Sequence, residues 1–142
     1  MAVRRGTGRV AVLFLDANIP MYLVGAPHAN RERAAWALER AIAAGDRLVT
    51  DAEVLQEILH RFVAIGRPEA IDPCLDTLLG VVDEVYPIQA EDVRAARTLL
   101  ASIPGLSARD AVHAAVMRRH AVRRVLSFDR GFDRLGDLER LP

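Results

Sequence analysis

An uninterrupted apolar run, Val10 to Leu15, ends abruptly in a carboxylate, Asp16. A run this short, rich in branched side chains and bounded by polar sequence, offers no polar face to water. It is therefore predicted to be a strand covered on both sides. Strands of that kind belong to parallel sheets packed between helices, which points to an α/β fold. Asp16 then stands at the carboxyl end of the strand, where open parallel sheets place their functional crevice.

The remaining sequence alternates in the same sense. A helix is expected from about Asn30 to Ala44, with Gly45 as its stop, and residues 47–50 (RLVT) make a second short strand. Thr50 with Glu53 is predicted to form a capping box, opening a helix whose Val54, Leu55, Ile58, Phe62 and Ile65 share one stripe before Gly66 and Pro68. A helix from about Glu69 to Leu79, a strand within residues 81–88 and a helix from Glu91 to Ala101 follow, closed by Pro104 and Gly105. Ser107 with Asp110 reads as a second capping box. Its helix, to about Val122, is apolar around most of its circumference and is expected to be buried; residues 125–128 (VLSF) supply another strand. No element is assigned to the tail. At 142 residues with 51% hydrophobic content, the chain is expected to form one domain, residues 1–142, with a mostly parallel central sheet flanked by helices.

Composition removes several classes of function. No apolar stretch approaches the roughly 18 residues of a membrane span, and the start, MAVRRGTGRV, lacks the apolar centre of a signal peptide. A cytoplasmic protein without a membrane segment is expected, and the lone Cys74 suits a reducing compartment. The Gly-Thr-Gly at 6–8 precedes the first strand and is no dinucleotide fingerprint. All 19 basic residues are arginine, so chemistry that requires lysine is excluded, and the 19 acids balance them to a formal charge of zero. Any affinity for nucleic acid must be local. His28, His60, His113 and His120 show no zinc spacing with Cys74 and are expected to be structural.

Four acids stand against apolar sequence: Asp16, Glu57 in VLQEIL, Asp110 in SARDAVHAAV and Asp129 in VLSFDRGFD. Ionised carboxylates converging on one pocket repel by about 4 kcal/mol per close pair at an effective dielectric near 20, so a divalent cation is their natural partner. Each acid also has a local alternative. Asp16 can cap the next helix through the Asn18 and Ile19 amides, and Glu57 can pair with Arg61 one turn on. Asp110 can accept from the Ser107 amide, and Asp133 can pair with Arg130 or Arg134. Arg118, Arg119, Arg123 and Arg124 cluster at a helix end, where the dipole favours them and where phosphates can also be met.

The order Asp, Glu, Asp, Asp, each in its own strand or helix context, resembles the PIN-domain ribonucleases, specifically the VapC-type toxins of bacterial toxin–antitoxin pairs. LFLDANIPMYL is similar to the family's first motif, TDAEVLQEIL to the second, SARDAVHAAV to the third, and VLSFDRGF to the fourth. The resemblance implies a metal-dependent endoribonuclease with catalytic Asp16, Glu57, Asp110 and Asp129. Asp16 and Asp110 would be the principal ligands of Mg²⁺ or Mn²⁺. Asn18, Ser127 and Asp133 are implied as accessory residues, and Arg118 and Arg119 are candidate RNA contacts. It further implies an RNA substrate, a cognate VapB-like antitoxin and a homodimer, with Met21, Trp36 and Ile42 as places to look for the interface. The competing expectation is a catalytically inactive module of the same fold that binds a partner's basic peptide in the acidic pocket.

Overall fold

The computed structural model describes residues 10–142; the Gly-Thr-Gly at 6–8 lies outside them. Strand β1 (Val12–Leu15) is the middle of a five-stranded sheet, followed in chain order by β2 (Arg47–Asp51), β3 (Glu84–Tyr86), β4 (Arg124–Leu126) and β5 (Glu139–Leu141). The spatial order is β3-β2-β1-β4-β5, and every pairing is parallel. The sheet therefore grows from β1 to β2 and β3 on one side, and its order reverses when β4 docks on the other side of β1. That reversal leaves a crevice beyond the carboxyl ends of β1 and β4.

Among the described residues six α-helices cover the sheet: α1 (Asn18–Val24), α2 (Asn30–Ala43), α3 (Ala52–Ala64), α4 (Ile71–Leu79), α5 (Ala90–Ser102) and α6 (Ala108–Arg119). Leu13, Phe14 and Leu15 are at most 1% exposed, as expected of a strand buried on both faces. Helix α6 is buried over most of its length, including Ala111, Ala114, Val116 and Met117. Among the described residues no helix is long and apolar enough to cross a membrane. Cys74 is buried and free, and burial pushes its thiol up to about 12, which disfavours the reactive thiolate.

Local differences from the sequence expectation have simple causes. Thr50 does not cap α3: β2 runs one residue further, the Thr50 hydroxyl donates to the Leu15 carbonyl at 2.9 Å, and Asp51 caps the helix by accepting from the Val54 amide at 3.0 Å. Only half of the second box forms. Ser107 Oγ accepts from the Asp110 amide at 3.1 Å, and the Asp110 carboxylate turns instead toward Asp129. A complete capping box lies at Gln89 and Asp92, where α5 begins. Helix α6 stops at Arg119 and not near Val122, because Ala121 takes a left-handed φ of 58° that ends the helical path. Helix α1 and strand β5 are additions to the predicted elements. β5 has no apolar run of its own and forms by pairing along β4.

Candidate active site

The crevice beyond β1 and β4 collects the acids. Asp16, 4% exposed, is held at the end of β1 by the Ala17 amide, which donates to Oδ1 at 2.8 Å, and by the Ser127 hydroxyl, which donates to Oδ2 at 2.6 Å. The expected amides of Asn18 and Ile19 are not its partners; the Ile19 amide bonds to the Asp16 backbone carbonyl. Asn18 links the two strand ends from above. Its amide nitrogen donates to Ser127 Oγ at 3.1 Å, and its carbonyl oxygen accepts from the Phe128 amide at 3.2 Å. Ser127 Oγ also accepts from the Asp129 amide at 3.0 Å, so a single hydroxyl ties Asp16 to the turn that carries Asp129.

That turn brings Asp129 to Asp110 at the amino end of α6. The Gly131 amide donates to Asp129 Oδ1 at 2.8 Å, and the glycine lies so close that a Cβ would sit 2.5 Å from Asp110 Oδ2. Burial, reinforced by the neighbouring Asp129 and Asp16 carboxylates, raises the Asp110 pKa to about 7. Burial likewise raises that of Asp16, against the opposing pull of His113 and the Ser127 hydroxyl. Two carboxyls whose charged forms are disfavoured in one sheltered space need a cation or a proton. Their donor chemistry suits a divalent ion.

On the other side of Asp16 stand Glu57 and His113. Helix α3 carries Glu57 at 20% side-chain exposure, with Oε1 3.6 Å from His113 Nε2 and Oε2 3.8 Å from Arg109 Nε. One oxygen from each of Asp16 and Glu57 and a nitrogen of His113 lie within 4.8 Å of one another, a spacing that can hold a metal ion. Asp16 thus joins two groups, Asp110 with Asp129 and Glu57 with His113.

Residues 13–138 match the sequence profile of the PIN domain. The chain belongs to the PIN-domain family. This PIN domain is 56% identical over 130 residues to ribonuclease VapC13 of Mycobacterium tuberculosis, spanning 92% of this chain and 99% of the relative. Its fold is similar to the crystal structure of Mycobacterium tuberculosis VapC20, a sarcin-ricin loop cleaving toxin, with a TM-score of 0.74 at 23% identity over 92% of this chain and 99% of that one. It is also similar to a chain of a toxin–antitoxin complex from Klebsiella pneumoniae, with a TM-score of 0.64 at 16% identity over 92% and 96% of the two chains. At those identities the structural likeness shows the fold, while the relationship to VapC13 places this PIN domain among the VapC ribonucleases.

Three of the residues singled out from sequence are held elsewhere. Asp133 of this PIN domain makes a two-pronged ion pair with Arg140, at 2.9 and 3.1 Å, instead of turning into the cluster. Arg118 is bound in the same way by Asp137 at 2.8 and 2.7 Å, and Arg119 by Asp92 at 2.7 and 2.9 Å. Both lie at the carboxyl end of α6, more than two turns and about 12 Å along the axis from Asp110. Conversely, Arg109 and Asp51 are not among the residues expected from sequence, and His113, expected to be structural, faces Asp16 and Glu57. His113 contacts Asp51 across 62 residues of chain. One signal was available: His113 follows Asp110 by three positions, so a helix that aims Asp110 at the site aims His113 nearby.

Proposed function

We propose that this PIN domain is a metal-dependent endoribonuclease and the toxin of a toxin–antitoxin pair, cutting RNA to arrest translation and growth. The observation that carries the reading is the gathering of four acids from separate segments at one crevice, with Asp16 and Asp110 buried in it and Glu57 and Asp129 nearer its rim. Their oxygens suit Mg²⁺ or Mn²⁺, with Asp16 and Asp110 as principal ligands. Bound there, the cation supplies an activated water and offsets the charge that develops on phosphate oxygens. Asn18 and Ser127 keep Asp16 in one orientation. Glu57, 20% exposed beside the buried Asp16 and His113, orients the attacking water. Asp129, beside Asp110, completes a second cation position or helps to orient that water.

Beside the acids runs a groove lined by Asn18, Tyr22, Glu57, Arg61, Arg67 and Arg109. Arg61 lies here beside Arg109 and Arg67, which also pair with Glu57 at 3.8 Å and Glu69 at 2.5 Å. Because this groove adjoins the acids, we assign the RNA backbone to it instead of to Arg118 and Arg119, about 12 Å away along α6. The 56% identity to a ribonuclease supports the reaction class, and the likeness to a chain of a toxin–antitoxin complex supports a VapB-like antitoxin as partner. A homodimer would bury Trp36 and Ile42, which are 59% and 52% exposed on α2. The cytoplasm is the compartment where such an RNA substrate is met.

The test is cleavage of cellular RNA by purified protein with Mg²⁺, Mn²⁺ or chelator, beside Asp16→Asn prepared identically. Cation-dependent cutting that the variant lacks is expected. Cutting by the variant at the wild-type rate refutes the assignment, and absence of both cutting and cation binding favours a non-catalytic pocket for basic peptide.

A further inference from the structure

Two fully buried groups have no part in that reading, Asp51 and His113, each 0% exposed. Asp51 spends Oδ1 on the cap of α3, accepting from the Val54 amide, and leaves Oδ2 2.8 Å from His113 Nδ1. A carboxylate can only accept there, so Nδ1 carries a proton and donates it to Asp51. The ring is packed beside Phe14 and Phe132, with centroids 5.4 and 6.4 Å away. Its other nitrogen, Nε2, is buried with no hydrogen-bond partner. It faces Glu57 Oε1 at 3.6 Å and Asp16 Oδ1 at 3.9 Å, beyond hydrogen-bond reach of both.

Buried polar atoms of this kind are rare and call for an explanation. Donors to one octahedral ion with bonds of about 2.1 Å lie roughly 3 Å apart when adjacent and roughly 4.2 Å when opposite, and both separations fall between these, within a small side-chain shift of either. A histidine that binds metal through one nitrogen almost always gives its other N–H to a carboxylate or carbonyl, which sets the tautomer and the ring plane. Asp51 stands in that position. We infer that His113 Nε2 is a nitrogen ligand of a second cation position, between Asp16 and Glu57 and beside the one assigned to Asp16 and Asp110, with Asp51 orienting the ring, so that this position favours Mn²⁺ over Mg²⁺.

Imidazole suits first-row transition ions, whereas Mg²⁺ prefers oxygen donors and retains water. With only carboxylates as neighbours, a proton on Nε2 is favoured; a dipositive ion competes for that same position. The inference rests on the reading of the acidic cluster as a cation site. Its failure and the failure of that reading are separable by experiment.

The full-length protein is titrated with Mn²⁺, and binding is followed by loss of the free-ion signal in electron paramagnetic resonance. Pulsed measurements on the bound ion then read coupling to a directly ligated nitrogen, with ¹⁵N-histidine labelling to assign it. Nitrogen coupling is expected in the wild type and in His60→Gln, and absent in His113→Gln. His113→Gln should weaken Mn²⁺ binding at least tenfold, Asp51→Asn about tenfold, and neither should change Mg²⁺ competition more than about threefold. Bound Mn²⁺ without nitrogen coupling in the wild type overturns the role of His113 while leaving the cation site standing. That measurement needs no variant, so a His113→Gln that fails to fold does not rescue the idea. No Mn²⁺ binding at all overturns both.

Discussion

Replacement of Gly131 by alanine should separate catalysis from folding. The added Cβ would lie 2.5 Å from Asp110 Oδ2 and 3.1 Å from Asp129 Oδ1. Ordinary contact begins at 3.4 Å, so the Asp110 tip must retreat by about 0.9 Å, a displacement of the size that costs about a hundredfold when it falls on a reacting group. In transition-state terms that is about 2.7 kcal/mol. The stability change should stay within about 1 kcal/mol. The obstructing atoms are ends of carboxylates and not backbone, and Gly131 has no left-handed φ, so alanine also stiffens the unfolded chain by a few tenths of a kcal/mol. Single-turnover RNA cleavage and urea unfolding measure the two effects. Wild-type cleavage by Gly131→Ala would show that the Asp110 tip has no role in the reaction. A large loss of stability in parallel with activity would show that the turn is merely a packing element.

Asp16→Asn should lower cleavage by about three orders of magnitude, roughly 4 kcal/mol, while urea unfolding shows stability equal to the wild type or higher, because a costly buried charge has been removed. In the cation-free protein the contribution of Asp110 to stability should be lost as pH rises from 3.8 to about 7. Asp110 has a raised folded pKa, so its penalty is absent below the unfolded value and complete above the folded one. Mn²⁺ at a hundred times its pH 8 Kd should add about 2.7 kcal/mol at pH 8, and the same concentration should add less at pH 5, where protons compete for Asp110; melting with Mn²⁺ or chelator at both pH values reads this. Asp92 behaves oppositely: Arg119 beside it, helped by the Gln89 amide and against some desolvation, holds its carboxyl below the usual value. Its contribution is complete above 3.8 and is lost as pH falls through the lower folded value. Asp92→Asn should therefore be less stable than the wild type at pH 7, and acid unfolding should show the gap closing below about pH 3.8.

Much of the fold was legible because it is written in short-range patterns. The apolar run before Asp16 has no polar face, and so it could only be an interior strand of a parallel sheet. The stripe of α3 and the apolar circumference of α6 follow from which positions share a helix face, a property of spacing alone. β5 was not legible, since residues 139–141 are only partly buried and owe their extended form to pairing with β4. The Thr50 box failed for a related reason: whether a residue caps a helix or continues a strand depends on the neighbouring strand, and here Leu15 offers Thr50 its carbonyl.

The sequence by itself determined the alternation of strands and helices, the family, and the acids set at or near the ends of apolar segments. Only the tertiary structure decided which of those charges meet. Asp133, Arg118 and Arg119 are drawn into ion pairs with Arg140, Asp137 and Asp92, and His113 is brought to Asp51, Asp16 and Glu57. Backbone periodicity sets the direction of a side chain within its own element. The partner it meets is set by how helices and strands rotate and pack against one another, and that is a property of distances across the core.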